Sequence, residues 1–199
     1  ARKLVLANNA FSKELGIGSS RLVAMHTYAA LTPVLEKSVL DHLGSDESWG
    51  LLPTHRLGST LRRTIDGRLM VRSMHSYEKE ADQAMIIGEL RHRLEKRFPQ
   101  LPDFNFEHCW GGAVGFTLNG GQVWGEFKPG LYVSAGCNGG GTVKGTLLGK
   151  LLAEAAHGMK VPNVPKLFGQ ASWMPPEPFR KVGYKLATYV ESHQGRHEL

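Results

Sequence analysis

No stretch of this sequence approaches the roughly 18–20 uninterrupted apolar residues that a membrane-spanning helix requires. Its opening residues hold a short apolar run but lack the charged-then-long-apolar layout of a secretory signal, so a soluble, cytoplasmic protein is expected. Cysteine is scarce: Cys109 and Cys137 alone supply neither a disulfide framework nor a metal-ligand spacing. The nine histidines are scattered, and none pairs with another in an HExxH arrangement on one helix face. No metal site is expected. Repeats and long linkers are absent too, which removes solenoid architectures.

What is present is ordinary for a folded protein. The 199 residues suit one domain or two small ones, and 41% hydrophobic with 21% charged residues exclude wholesale disorder. Lysine and arginine total 24 against 18 acidic residues, a net charge of +6. The basic residues do not cluster into a nucleic-acid footprint. The densest group, Arg91-His92-Arg93 with Lys96-Arg97, is interleaved with Glu89 and Glu95 and reads as a solvated helix face. Neither a nucleic acid nor a membrane is an expected partner; the charge points to solubility and to an anionic ligand.

Along the chain, Lys3 to Ala7 reads as a short buried strand running into Asn8-Asn9, and Arg21 to Tyr28 as a second extended stretch. Leu35, Val39, Leu40 and Leu43 recur at helical spacing and stop at Gly44. Spacing alone leaves open whether Pro33 starts that helix or ends the strand before it. Asp66-Gly67, set between Leu61–Ile65 and Arg68–Val71, predicts a hairpin with a two-residue turn. From Glu80 to Phe98 the apolar positions Ala84, Ile87, Leu90, Leu94 and Phe98 predict a helix of about five turns, ended by Pro99. Phe104 to Phe127 reads as glycine-interrupted strand. The proline-rich tail from Pro162 onward is expected to be an extended strap.

The segment with chemical content is Gly130 to Gly158. Leu131–Ala135 is a compact strand, and Thr142–His157 is a helix with one broad apolar stripe. Between them Gly136-Cys137-Asn138-Gly139-Gly140-Gly141 carries four glycines in six positions. Strand, glycine loop and helix together aim unpaired N–H groups and a positive dipole end at an anion or an electron-rich oxygen. A tight strand-to-helix turn is the alternative use of the same glycines, as a left-handed turn position is for Asn138. Neither standard phosphate fingerprint fits: position 144, where GxGxxG needs glycine, is Lys144, and Gly145 is followed by Thr146 and Leu147 rather than the Walker Lys-Ser/Thr.

Pro129 to Gly141 resembles the C-terminal flavin-binding segment of the D-amino-acid oxidase/glycine oxidase/sarcosine oxidase superfamily of FAD-dependent oxidoreductases. Leu4 to Phe11, Thr60 to Leu69, Trp110-Gly111-Gly112 and the Trp173-Met174-Pro175-Pro176-Glu177-Pro178 stretch agree in order and spacing, with γ-glutamylputrescine oxidoreductase-like members the most similar subgroup. The resemblance implies an α+β fold with α/β elements. It divides the chain into 1–12, a late strand of the FAD-binding domain; 13–125, a mixed-sheet substrate domain; 126–160, the last strand, glycine loop and helix of the FAD-binding domain; and 161–199, the strap. The N-terminal βαβ unit with GxGxxG, which holds the ADP half of FAD in such enzymes, is not in the chain.

The resemblance further implies non-covalent FAD held by Gly136, Cys137, Asn138, Gly139, Gly140, Gly141 and Thr142, and oxidation of a small amine or amino acid by hydride transfer to flavin N5. Neither cysteine aligns with the covalent flavin cysteine of sarcosine oxidases. Trp110 would close the substrate cavity, although plain core packing is an equal use for it, and one of Arg62, Arg63, Arg68 and Arg72 (Arg63 foremost) would clamp a carboxylate, a surface place being the commoner use of each. The chain departs from the family at Gly140, where many members have histidine, and at Thr117-Leu118-Asn119-Gly120-Gly121-Gln122, where Thr-x-Asp-x-x-Pro is usual. Without the nucleotide-binding half these residues are expected to be inactive unless a complementing N-terminal flavin-binding chain is supplied. The alternative is a non-catalytic binding or regulatory subunit built on this fold.

Overall fold

The computed structural model describes residues 2–198; Ala1 and Leu199, the outermost residues of the expected first and last segments, lie outside the described residues. In chain order the elements are β1 (Leu4–Leu6), a 3₁₀ segment (Asn9–Leu15), β2 (Val23–Leu31), α1 (Lys37–Asp41), β3 (Trp49–Leu51), β4 (Thr60–Arg63), β5 (Leu69–Tyr77) and α2 (Gln83–Arg97). There follow β6 (His108–Phe116), β7 (Val123–Lys128), β8 (Leu131–Ala135), α3 (Gly141–Ala156), α4 (Val164–Phe168) and α5 (Phe179–Gln194). The strands form two sheets, and the fold is mixed α/β.

The chain divides into two compact units: 1–25 with 113–181, and 26–112 with 182–199. The first is built on a three-stranded sheet in the order β1-β8-β7, with β1 parallel and β7 antiparallel to β8. Strand β8 is apolar except at Ser134, and both of its faces are covered. Tyr132 packs with Leu152 and Ala156 of α3, while Val133 and Ala135 join Ile17, Leu22, Val123 and Ala171 on the other face. Trp124, across from Ser134, follows Tyr132 onto the helix side and donates its indole N–H to Leu148 O at 3.0 Å.

The second unit is built on a five-stranded sheet in the order β3-β4-β5-β2-β6. One of its faces is closed by α2, through Ile86, Leu90 and Leu94 against Tyr28, Ala30, Leu61 and Val71. Burial of these apolar surfaces, at about 25 cal/mol per Å², is what holds helix to sheet. Asp82 caps α2 by accepting the Met85 N–H at 3.0 Å. The buried face runs through Ile86 rather than the expected Ala84, which is exposed.

Two further expectations are corrected. The β4–β5 hairpin closes by a three-residue loop, Ile65-Asp66-Gly67. Thr64 N–H donates to Arg68 O at 2.9 Å and Gly67 N–H to Thr64 O at 3.0 Å. Only Gly67 takes a positive φ, +81°, so the turn is a tight turn followed by one left-handed residue instead of a two-residue turn. The tail is not an extended strap over its whole length. Gln170 bridges in parallel to Gln122, but Val164–Phe168 and Phe179–Gln194 are helical. Phe179, Val182, Leu186 and Tyr189 have the helical spacing.

Candidate functional site

The glycine loop occupies residues 136–140 between β8 and α3, within the first unit. Gly136 turns the chain out of the strand with φ +87°, and a Cβ there would lie 2.9 Å from Thr117 Cγ2. No other residue fits both the backbone and the space. Asn138 takes the left-handed conformation as well, with φ +50°.

Two asparagine side chains tie this loop to the rest of the unit. Asn138 Oδ1 accepts the Thr117 N–H at 2.9 Å, and its Nδ2 donates to Gly136 O at 2.7 Å and Gly120 O at 3.2 Å. Asn9 Oδ1 accepts the N–H groups of Gly136 at 3.0 Å and Cys137 at 3.2 Å, and its Nδ2 donates to Cys137 Sγ at 3.1 Å. Asn138 N–H donates to Gly115 O at 3.0 Å, and Gly140 N–H to Cys137 O at 3.0 Å.

These bonds sort the cradle's donors. The N–H groups of Gly136, Cys137, Asn138 and Gly140 are engaged within the protein. Those of Gly139, Gly141, Thr142 and Val143 make no hydrogen bond to the described residues. The last three are orphan donors of a helix N-terminus, here a helix of 16 residues carrying the positive end of its dipole. Lys144 adds a cation in the first turn, and its stem lies across Gly140, 3.6 Å from where a Cβ would stand. Beside it is a cavity of about 330 Å³, lined by Asn9, Cys137, Gly141, Lys144, Gly145 and Gly149 among others. Such a donor set suits an anion or an electron-rich oxygen or nitrogen.

The isoalloxazine ring of FAD meets that description at its pyrimidine edge. A model of the family of FAD dependent oxidoreductases matches residues 1–155 of the sequence. The chain belongs to that family.

Among the relatives of this chain is the probable oxidoreductase OrdL of Haemophilus influenzae. It is 26% identical over 179 residues, covering 82% of this chain and 40% of the relative. A probable oxidoreductase OrdL of Rhizobium meliloti is 32% identical over 97 residues, covering 49% of this chain and 22% of the relative. Among solved structures, glycine oxidase from Geobacillus kaustophilus superposes with a TM-score of 0.65 at 15% identity, over 88% of this chain and 46% of its own. Iminodiacetate oxidase from Chelativorans sp. BNC1 superposes with a TM-score of 0.60 at 17% identity, over 89% and 47%. The chain therefore spans less than half the length of these relatives, and the structural likenesses speak for the fold.

The seven residues expected to hold the cofactor, Gly136 to Thr142, form one continuous loop and helix start. Arg63 and Trp110 belong to the second unit, on β4 and β6. Arg63 is buried, and its Nη1 donates to Leu40 O at 3.2 Å and Gly44 O at 2.9 Å at the end of α1. These two bonds tie Arg63 to the α1 end, while its buried Nε has no hydrogen-bond partner among the described residues. Strand pleating puts Trp110 on the face opposite Cys109, which packs toward α2, and Trp110 is about half exposed (47%). Arg68 is held by Asp66 at 3.0 Å, by Thr32 O at 3.1 Å and by Glu107. The hydrogen bond and positive charge of Arg68, with a smaller contribution from His108, hold the Glu107 carboxyl below its usual range.

Asn9 and Thr117 are the site residues that sequence reasoning passed over. The Asn8-Asn9 doublet directly after an apolar strand was their signal, because asparagine tolerates the left-handed turn that such a strand end needs. Among the described residues, no group of three or more His, Cys, Asp and Glu is placed to hold a metal ion. No described helix is long and apolar enough to cross a membrane.

Proposed function

We propose that this chain is the C-terminal part of an FAD-dependent enzyme that oxidises a small amine or amino acid, with the cofactor held non-covalently. The observation that carries the reading is the set of unpartnered N–H groups at Gly139, Gly141, Thr142 and Val143, in a chain whose family uses FAD. Bound FAD supplies the ring that accepts a hydride from the substrate carbon.

The chain's own contribution is electrostatic and steric. The four N–H groups and the helix dipole stabilise negative charge at the pyrimidine edge, as an oxyanion hole does. Lys144 adds to the same field. On this reading, 2–12 and 126–160 serve the flavin, 13–125 contributes the substrate side, and Trp110 lines the substrate. The names of the neighbours support the substrate class: one is a glycine oxidase and another an iminodiacetate oxidase. Activity requires the nucleotide-binding half that this sequence does not contain, whether in the same polypeptide or as a complementing chain.

The test is flavin content. The full-length gene product should purify with FAD, or take it up on titration, and Gly139→Val should weaken uptake by at least about tenfold. Gly139 has φ +83°, a backbone conformation that valine resists, so the substitution strains the loop that presents the donors although the space around it is open. A gene product that purifies without flavin and cannot be reconstituted would contradict the reading and favour the non-catalytic module.

A further inference from the structure

Asn9, the first residue of the 3₁₀ segment that follows β1, stands in left-handed backbone, φ +46°. Glycine would hold that conformation at no cost, whereas a residue with a Cβ pays about 1–2 kcal/mol in this region, asparagine least of the non-glycine types. Its side chain offsets that cost. All three polar contacts of the carboxamide go to one place, the first two residues of the glycine loop 127 and 128 positions away. The surroundings are shaped to admit it: a Cβ on Gly115 would lie 2.6 Å from Asn9 Oδ1. Gly115 in turn accepts the Asn138 N–H, so the loop is gripped on both sides.

This grip has a chemical consequence. If Gly136 and Cys137 N–H groups were free, they would compete for a ligand's electron-rich edge or pull the loop toward the cavity. With both spent on Asn9, the donors of the loop and helix start left without a partner among the described residues are those of Gly139, Gly141, Thr142 and Val143. We propose that Asn9 is the positioning residue of the cradle: its carboxamide holds Gly136 and Cys137 so that the Gly139, Gly141, Thr142 and Val143 N–H groups face the flavin edge. The proposal rests on the reading of this loop as a flavin site. The carboxamide, and not the turn, is the active part.

Three variants of the full-length gene product separate these. Asn9→Gly keeps the turn and removes the carboxamide, Asn9→Ala removes both, and Asn9→Asp keeps the acceptor but not the donor to Cys137 Sγ. In flavin-free protein, hydrogen exchange at Gly136 and Cys137 should quicken about tenfold or more in Asn9→Gly and Asn9→Ala and return toward wild type in Asn9→Asp, since each variant loses or keeps its bonds to those amides. With FAD added, the dissociation constant should rise about tenfold in Asn9→Gly, on the scale of one lost hydrogen bond. The midpoint potential of the bound flavin should fall. If Asn9→Gly leaves exchange, affinity and potential at wild-type values, or Asn9→Asp exchanges as fast as Asn9→Ala, the proposal is overturned. A wild-type protein that takes up no FAD fails the site reading instead, and the exchange measurements still decide what Asn9 does.

Discussion

His75, on β5, has Nδ1 2.7 Å from the Tyr184 hydroxyl of α5. Burial, and then the positive charge of Arg93, hold its pKa below the ordinary histidine value, while burial pushes Tyr184 up to about 12. The native state therefore binds fewer protons at His75 than the unfolded chain does, and stability rises with pH across that window. Its contribution is complete above about 6.5, the unfolded value, and is lost as pH falls through the lowered native one. Urea midpoints measured from pH 8 to pH 5 should decline, and His75→Gln should flatten that decline; an unchanged slope would contradict the assignment. At Arg63, replacement by alanine removes two charge-assisted bonds, to the Leu40 and Gly44 carbonyls, a loss of about 1.5–3 kcal/mol in urea unfolding. At this scale the sequence was least legible. Which arginine is buried and which donor is engaged depends on pairings such as Asn9 with Gly136, 127 positions apart, and no local pattern encodes them.

Helices and strands were more legible, because period and punctuation are local. Strand β8 falls on the expected residues, Leu131–Ala135, and α3 is shifted from its expected bounds by one residue. The α2 period was right, but its buried row runs Ile86, Leu90 and Leu94, which leaves the expected Ala84 exposed and Ile87 half-buried. The β4–β5 turn gained a third residue because Thr64 and Arg68 bond to each other beyond the strands, and Asp66-Gly67 serves that loop equally well. The tail misled through its prolines, whose effect ends at Pro178, one residue before α5 begins. Two substitutions test the account of α2. Asp82→Ala should cost about 1 kcal/mol through the lost cap. Leu90→Ala, at a fully buried position, should cost about 2–5 kcal/mol. Equal effects of the two in urea unfolding would place the helix's stability in its end and not in its packing.

Over the whole molecule, 199 residues are enough for two cores but cover only 40% of the Haemophilus influenzae relative. The family was legible because its strand, glycine loop and helix lie close together in sequence. The substrate was not, because the side chains that would select it are spread over a sheet whose neighbours share only 15–17% identity with this chain. The central claim is that the cradle serves a flavin that oxidises amines. Its most direct test is the visible spectrum of the full-length gene product, recorded without oxygen before and after a small amine or amino acid is added. Flavin absorbance that bleaches on addition is the predicted result. A flavin spectrum that no amine or amino acid changes would contradict the claim.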